Sequence, residues 1–171
     1  KKYDFKVIED AACGFDAWTD GKHAGTLADI GCFSFHPRKS ITTGEGGMVT
    51  TNDDQLAEKL QILRNHGASI SEEQRHHGAQ PYILPDFNIL GFNYRMTDLQ
   101  GALGIVQLKK LNRFISERDK WAKYYQDELS DVAWLQPPTV ADYQGHGWQS
   151  FVCMVDEEKA PYTRNEIMGK L

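Results

Sequence analysis

Lys39 and Asp10 are the side chains whose types and placement could do chemistry together. Lys39 follows an apolar, strand-like run, Ile30 to Phe35, that Pro37 stops because proline cannot donate to a sheet ladder. A run of hydroxyl and glycine residues comes next, Ser40 to Gly47, before a second apolar run opens at Met48. At the lip of a buried sheet a lysine is stripped of water, which favours the neutral amine, a nucleophile toward carbonyls. The Gly-rich turn beside it brings backbone close to a ligand and offers N–H groups to anions. Asp10 closes another extended run, Phe5 to Ile8 and then Glu9-Asp10-Ala11-Ala12. In open α/β sheets ligands bind at the carboxyl ends of strands.

A strand-end carboxylate and an activated lysine on a neighbouring strand-loop are what pyridoxal phosphate requires. The amine links covalently to the cofactor, and the carboxylate keeps the pyridine nitrogen protonated so that the ring withdraws electrons. Ala11 and Ala12 leave room for a flat ring, and Ser34 stands where it could donate to a phosphate oxygen. Taken singly, each residue has a plainer reading. Lys39 is then a surface charge, Asp10 a strand-terminal turn residue and Ser34 a hydroxyl bonded within its own sheet.

Bulk properties narrow the partners. A net charge of −5 and a pI near 5.7 leave no basic stripe for a nucleic acid or an anionic membrane. No apolar run is long enough to span a bilayer and no signal peptide opens the chain. Three cysteines without paired spacing read as reduced thiols of a cytoplasmic protein. The six histidines lack ligand spacing, so no metal site is expected.

The elements that must position these residues follow from periodicity. Gly14 to Asp29 reads as a loop, with strands at Ile30–Phe35 and Met48–Thr51. A helix capped by Thr51 or Asn52 follows, with Asp53 and Asp54 in its first turn and Gly67 ending it as a C′ glycine. Ala68 to Phe92, with Pro81 and Pro85, is long and irregular, as functional or interfacial loops are. Thr97-Asp98-Leu99-Gln100 is a capping box that opens apolar helical spacing to Ser130. Straight, that helix would reach about 50 Å, so it kinks or bridges two domains. Gly101 and Gly104 predict close packing at its start. Trp148 to Val155 alternates like a strand, and Thr163 to Glu166 is a second capping box.

Four blocks carry a resemblance: Val7 to Ala12, Asp29 to Lys39, Thr42 to Met48, and Asn93-Tyr-Arg-Met-Thr-Asp-Leu-Gln100. In this order they resemble the DegT/DnrJ-type sugar aminotransferases, fold-type I enzymes that use pyridoxal phosphate to aminate nucleotide-linked keto-sugars. The resemblance implies an α/β fold, part of a three-layer α/β/α large domain plus the start of a small α+β domain. It implies Lys39 as the cofactor-linked, catalytic lysine, Asp10 as the pyridine-nitrogen partner, Ala12 beside the ring and Ser34 as a phosphate ligand. Asn93 is implied to reach the phosphate in the neighbouring subunit of a homodimer with shared active sites; read from the residues alone, Asn93 to Arg95 merely leads into a helix. The amino donor implied is an amino acid, glutamate. One departure stands out: many relatives have His or Gln three residues beyond the aspartate, where this chain has Cys13.

The expected organisation is residues 1–95 as the C-terminal part of the cofactor-binding domain, 96–130 as a linking helix and 131–171 as the opening of the small domain. The ends fall next to a strand pattern and inside a helix, so a central fragment of a longer chain is expected. Two competing readings are a sugar dehydratase of the same fold, which Lys39 argues against because such relatives typically carry histidine there, and a non-catalytic interaction fragment.

Overall fold

A computed structural model describes residues 3–70, 72–80 and 82–171; Pro81 of the long irregular stretch lies outside them. The elements are β1 (Ile8–Asp10), β2 (Trp18–Thr19), β3 (Lys22–His23), β4 (Ile30–Ser34), β5 (Gly47–Thr50), α1 (Asp54–Arg64), α2 (Glu72–His77), α3 (Asp98–Leu108), α4 (Leu111–Glu128), β6 (Leu135–Gln136), β7 (Gln144–Gly145), β8 (Met154–Val155) and α5 (Arg164–Lys170). The architecture is mixed α/β, as expected.

Strand β4 is the centre of the main sheet, parallel to β1 and antiparallel to β5. The registers Asp10↔Cys32 and Cys32↔Val49 put Ile8, Asp10, Ile30, Cys32, Ser34 and Val49 on one face. Ile8 and Val49 stay exposed there. The other face carries Glu9, Gly31, Phe33 and Thr50 and is covered by the segment before β4. Glu9 accepts from the Gly25 and Leu27 amides at 2.7 and 3.0 Å, and Thr50 Oγ1 donates to the Gly25 carbonyl at 2.6 Å. Phe15 packs between Phe33 and Phe35, with ring centroids 5.0 and 5.8 Å away.

Several boundaries differ from expectation for identifiable reasons. The first strand begins at Ile8 and not Phe5, because β4 starts only at Ile30. Before it, Asp29 and Ile30 donate their amides to the Val7 carbonyl, and the Asp29 carboxylate accepts from Val7 N at 2.9 Å. The expected loop 14–29 contains the hairpin β2–β3, turned by Asp20 and Gly21 with φ of +48° and +72°. Asp-Gly is the dipeptide that a type I′ turn favours. Asp53 caps α1, accepting from Gln55 and Leu56 amides, while Thr51 is occupied with the Asp29 carbonyl at 2.7 Å. His66 takes the left-handed position after the Asn65 cap, and Gly67 follows it.

The expected helix 97–130 divides into α3 and α4. Lys110 N donates to the Gln107 carbonyl at 2.9 Å, a tightened turn that breaks the four-residue ladder. Both capping boxes form, on Thr97 and Thr163. Gly104 packs as predicted, since a Cβ there would stand 3.1 Å from Thr43 Cγ2, but Gly101 has open space around it. The alternating run 148–155 becomes a strand only at Met154–Val155, paired with β6. Trp148, with φ of +44°, turns the chain out of extended geometry.

A Cβ on Gly31 would run into the Gly25 backbone, so this glycine permits the close approach of the covering segment. Gly31→Ala is expected to cost about 1–3 kcal/mol by overpacking, read as a lower urea midpoint with an unchanged slope.

Candidate active site

The site is built at the carboxyl ends of β1 and β4 and in the connection from Phe35 to Gly46. Parallel pairing delivers Asp10 and Ser34 to one edge and one face of the sheet. Asp10 is exposed, and its Oδ1 accepts from Ala12 N at 3.0 Å. That bond folds the chain into the turn Ala11–Gly14, closed by Gly14 N donating to the Ala11 carbonyl at 2.8 Å. Ala11 is buried and Ala12 half-buried, so small side chains flank the carboxylate. Ser34 Oγ accepts from His36 N at 3.3 Å and gives its own hydrogen to none of the described residues.

Lys39 is half-buried and reaches back across the edge, its Nζ donating to Cys13 Sγ at 3.0 Å. The amine therefore lies against the turn that begins at Asp10. Asn93 stands apart: it is exposed and bridges to Asn65 beyond α1, with no hydrogen bond to Asp10, Ser34 or Lys39 among the described residues. The geometry thus joins the Asp10 turn, Ser34 and Lys39, and leaves Asn93 outside within one chain.

Pro37 prevents a regular ladder after β4, so the lysine connection depends on other partners. Phe35 O accepts from Thr43 N at 3.1 Å and Thr42 Oγ1 at 2.9 Å. Glu45 O accepts from Thr43 Oγ1 at 2.6 Å and from Gln100 Nε2 of α3 at 2.9 Å. Arg118 of α4 donates to Ser40 Oγ at 2.8 Å, and Gln149 Nε2 donates to the Arg38 carbonyl at 2.5 Å. Ser40 and Thr43 are buried, as are Ile41 and Trp148. Sequence reading missed Arg118 and Gln149. They lie 78 and 111 positions from their partners and belong to no motif, so no local pattern could have marked them.

Beside this network a cavity of about 710 Å³ opens between β2, β7 and α4, with Trp18, Asp119, Lys123 and Trp148 in its wall. Asp10, Ser34 and Lys39 do not line it; they stand on an open sheet edge. Asp119 accepts from Lys123 Nζ at 2.8 Å and from Trp148 Nε1 at 3.2 Å. The Lys123 hydrogen bond holds its carboxyl below the usual range against the opposing effect of burial, with Trp148 adding to the lowering.

The donor set fits pyridoxal phosphate. Among the described residues it offers an amine engaged only by a thiol, a carboxylate with one oxygen left unengaged, and a hydroxyl with a hydrogen to give. Fold and site together set an amine, a carboxylate and a hydroxyl on one edge of an α/β sheet. The chain belongs to the DegT/DnrJ/EryC1/StrS aminotransferase family, whose model matches residues 1–171. It is similar to the uncharacterized protein MJ1066 of Methanocaldococcus jannaschii, 38% identical over 100% of this chain and 44% of that one. It is 41% identical to the GDP-perosamine synthase of Caulobacter vibrioides over 76% of this chain and 32% of that protein. An aminotransferase structure from Psychrobacter cryohalolentis superposes with a TM-score of 0.88 at 30% identity, over 98% of this chain and 45% of that one. The chain thus spans less than half the length of these relatives. Among the described residues no helix is long and apolar enough to cross a membrane, and no cluster of potential metal ligands is found.

A depressed carboxylate stabilises above its unfolded-state pKa, and that contribution is lost as pH falls through the folded value. Acidification is therefore expected to change Trp148 fluorescence with a midpoint below the ordinary carboxylate range. Asp119→Asn should remove that transition.

Proposed function

We propose that the protein carrying this chain transfers an amino group from an amino acid, glutamate, to a nucleotide-linked keto-sugar, using pyridoxal phosphate. The observation that carries this reading is Lys39 Nζ lying against the turn that Asp10 opens, on the edge that also presents Ser34. A relative named GDP-perosamine synthase supports a nucleotide-linked product.

When bound, pyridoxal phosphate supplies an aldehyde carbon that exchanges one amine for another and a ring that withdraws electrons. Asp10 holds the proton on the pyridine nitrogen, which its unengaged oxygen leaves it free to do. Ser34 Oγ donates to a phosphate oxygen, and Ala12 keeps the ring space clear. Lys39 Nζ provides the linking amine and, once released, the base that takes a proton from the donor's α-carbon. Cys13 Sγ orients that amine by accepting its hydrogen bond.

Asn93 serves the site of the neighbouring subunit in a homodimer, a role that its exposed place beside Asn65, at the end of α1, supports. Residues 1–95 belong to the cofactor domain, 96–130 link it, and 131–171 begin the small domain. The cytoplasm is the compartment proposed, in keeping with the free thiols of Cys13, Cys32 and Cys153. The dehydratase reading is the weaker one, because an amine stands where such relatives typically carry histidine.

Borohydride reduction of the full-length protein with pyridoxal phosphate, followed by peptide mapping, tests the assignment. A phosphopyridoxyl label on Lys39 alone is expected, and labelling spread over several lysines would refute it. Lys39→Ala should abolish that label and lower turnover by at least about 10²–10⁴-fold. Asp10→Asn should keep the label while kcat drops about 10²–10³-fold, the usual effect of losing one preorganised electrostatic partner; a near-normal rate would count against Asp10.

A further inference from the structure

We infer that Arg118 and Gln149 are positioning residues for Lys39, gripping the chain on either side of it. This inference rests on Lys39 being the cofactor-linked lysine. Lys39 stands between Arg38 and Ser40, and each of these neighbours is held by a side chain from far along the sequence. Gln149 Nε2 donates to the Arg38 carbonyl at 2.5 Å, and Arg118 Nη1 donates to Ser40 Oγ at 2.8 Å. The two clamps are joined. Arg118 Nη1 also donates to the Trp148 carbonyl at 3.3 Å, and Ser40 Oγ donates to Gln149 Oε1 at 3.4 Å.

The physical reason for a clamp lies in the connection itself. With Pro37 ending the ladder, Arg38 O has no strand to accept from. Ser40, 7% exposed, needs partners for a buried hydroxyl. One local bond that orders this turn is Lys39 N donating to the His36 carbonyl at 2.9 Å. With Arg38 N donating to His36 Nδ1 at 3.2 Å, the local bonds hold only the entry to the turn, whereas fixing both residues that flank Lys39 fixes the origin of its side chain. Misplacing a reacting group by about 1 Å can cost on the order of 10²-fold in rate. Arg118 suits the task because the two N–H groups of its Nη1 lie in a fixed plane and reach Ser40 Oγ and the Trp148 carbonyl together; a lysine there keeps charge and donors on a flexible stem but not that fixed geometry. Trp148 in turn is tied to α4 through Asp119. The grip therefore links α4 and the segment after it to the lysine.

The test uses full-length protein with Arg118→Ala, Arg118→Lys, Ser40→Ala and the Arg118→Ala/Ser40→Ala double variant, with Gln149→Ala as the alternative should Arg118→Ala fail to fold. Two readouts do not depend on turnover. Amide hydrogen exchange of residues 38–41 in cofactor-free protein should speed up about tenfold or more in Arg118→Ala. The pH midpoint of the lysine–cofactor absorbance band should shift by about half a unit or more. In steady state, kcat should fall about 10–100-fold with KM little changed. Arg118→Lys should recover part of each effect, and the double variant should fall short of the sum of the single ones because both remove the shared Arg118–Ser40 bond. Wild-type exchange and midpoint in a folded Arg118→Ala or Gln149→Ala variant, or additive effects in the double variant, would overturn the inference while leaving the function intact. Absence of a Lys39-linked band in the wild type would bring down both.

Discussion

The hydrogen bond from the Arg118 guanidinium to Ser40 Oγ is the constraint on which the arrangement of this chain depends. It lies where the buried residues gather: Ser40, Ile41 and Thr43 of the lysine connection, Ile115 and Ala122 of α4, and Trp148. Buried apolar side chains are few among the described residues, so orientation has to come from directional bonds as well as from burial. Several backbone acceptors that the broken ladder exposes are taken up. Phe35 O goes to Thr42 and Thr43, Glu45 O to Thr43 and Gln100, and Arg38 O to Gln149. The connection is irregular, yet much of its backbone finds partners in other elements.

Strand direction explains why the lysine can sit so close to the carboxylate strand. Parallel strands need a long crossover, whereas an antiparallel neighbour can follow after a short connection. Because β5 runs antiparallel to β4, the chain leaves the sheet at Ser34, presents Lys39 and returns at Gly47 without leaving that edge. Because β1 runs parallel to β4, the Asp10 and Ser34 ends point the same way. One sheet of mixed direction thus brings an amine, a carboxylate and a hydroxyl to a single rim. The asymmetry of its faces follows from the same register: Glu9 and Thr50 fasten the 14–29 segment on one side, and Asp10 and Ser34 belong to the other.

Cys13 joins the candidate site through the lysine amine. Its thiol accepts from the lysine amine at 3.0 Å. The contact follows from the turn at Ala11–Gly14, which Asp10 itself organises through Ala12 N. Asp10 therefore shapes the local chain as well as presenting a charge, and its plainer reading as a turn residue leaves one carboxylate oxygen for chemistry among the described residues.

Much of this was legible in the residues. The α/β class, the order of strands around Lys39, both capping boxes and the close packing of Gly104 follow from local patterns: apolar runs, proline stops and hydroxyl–carboxamide spacing. The hairpin at Asp20-Gly21 was equally local and was missed only because its strands are two residues each, too short for alternation to register. What the tertiary structure alone decided is who holds the lysine. Periodicity marks α4 as an amphipathic helix and treats Arg118 as one more charge on it, and it treats Gln149 as one position in an alternating run. Their partners are distant in sequence, and a hydrogen bond across the fold leaves no spacing to read. The sequence by itself determined which groups could do chemistry; folding determined their common edge and the grip on Lys39, because only packing brings α4 and Trp148 against the connection that proline had freed from the sheet.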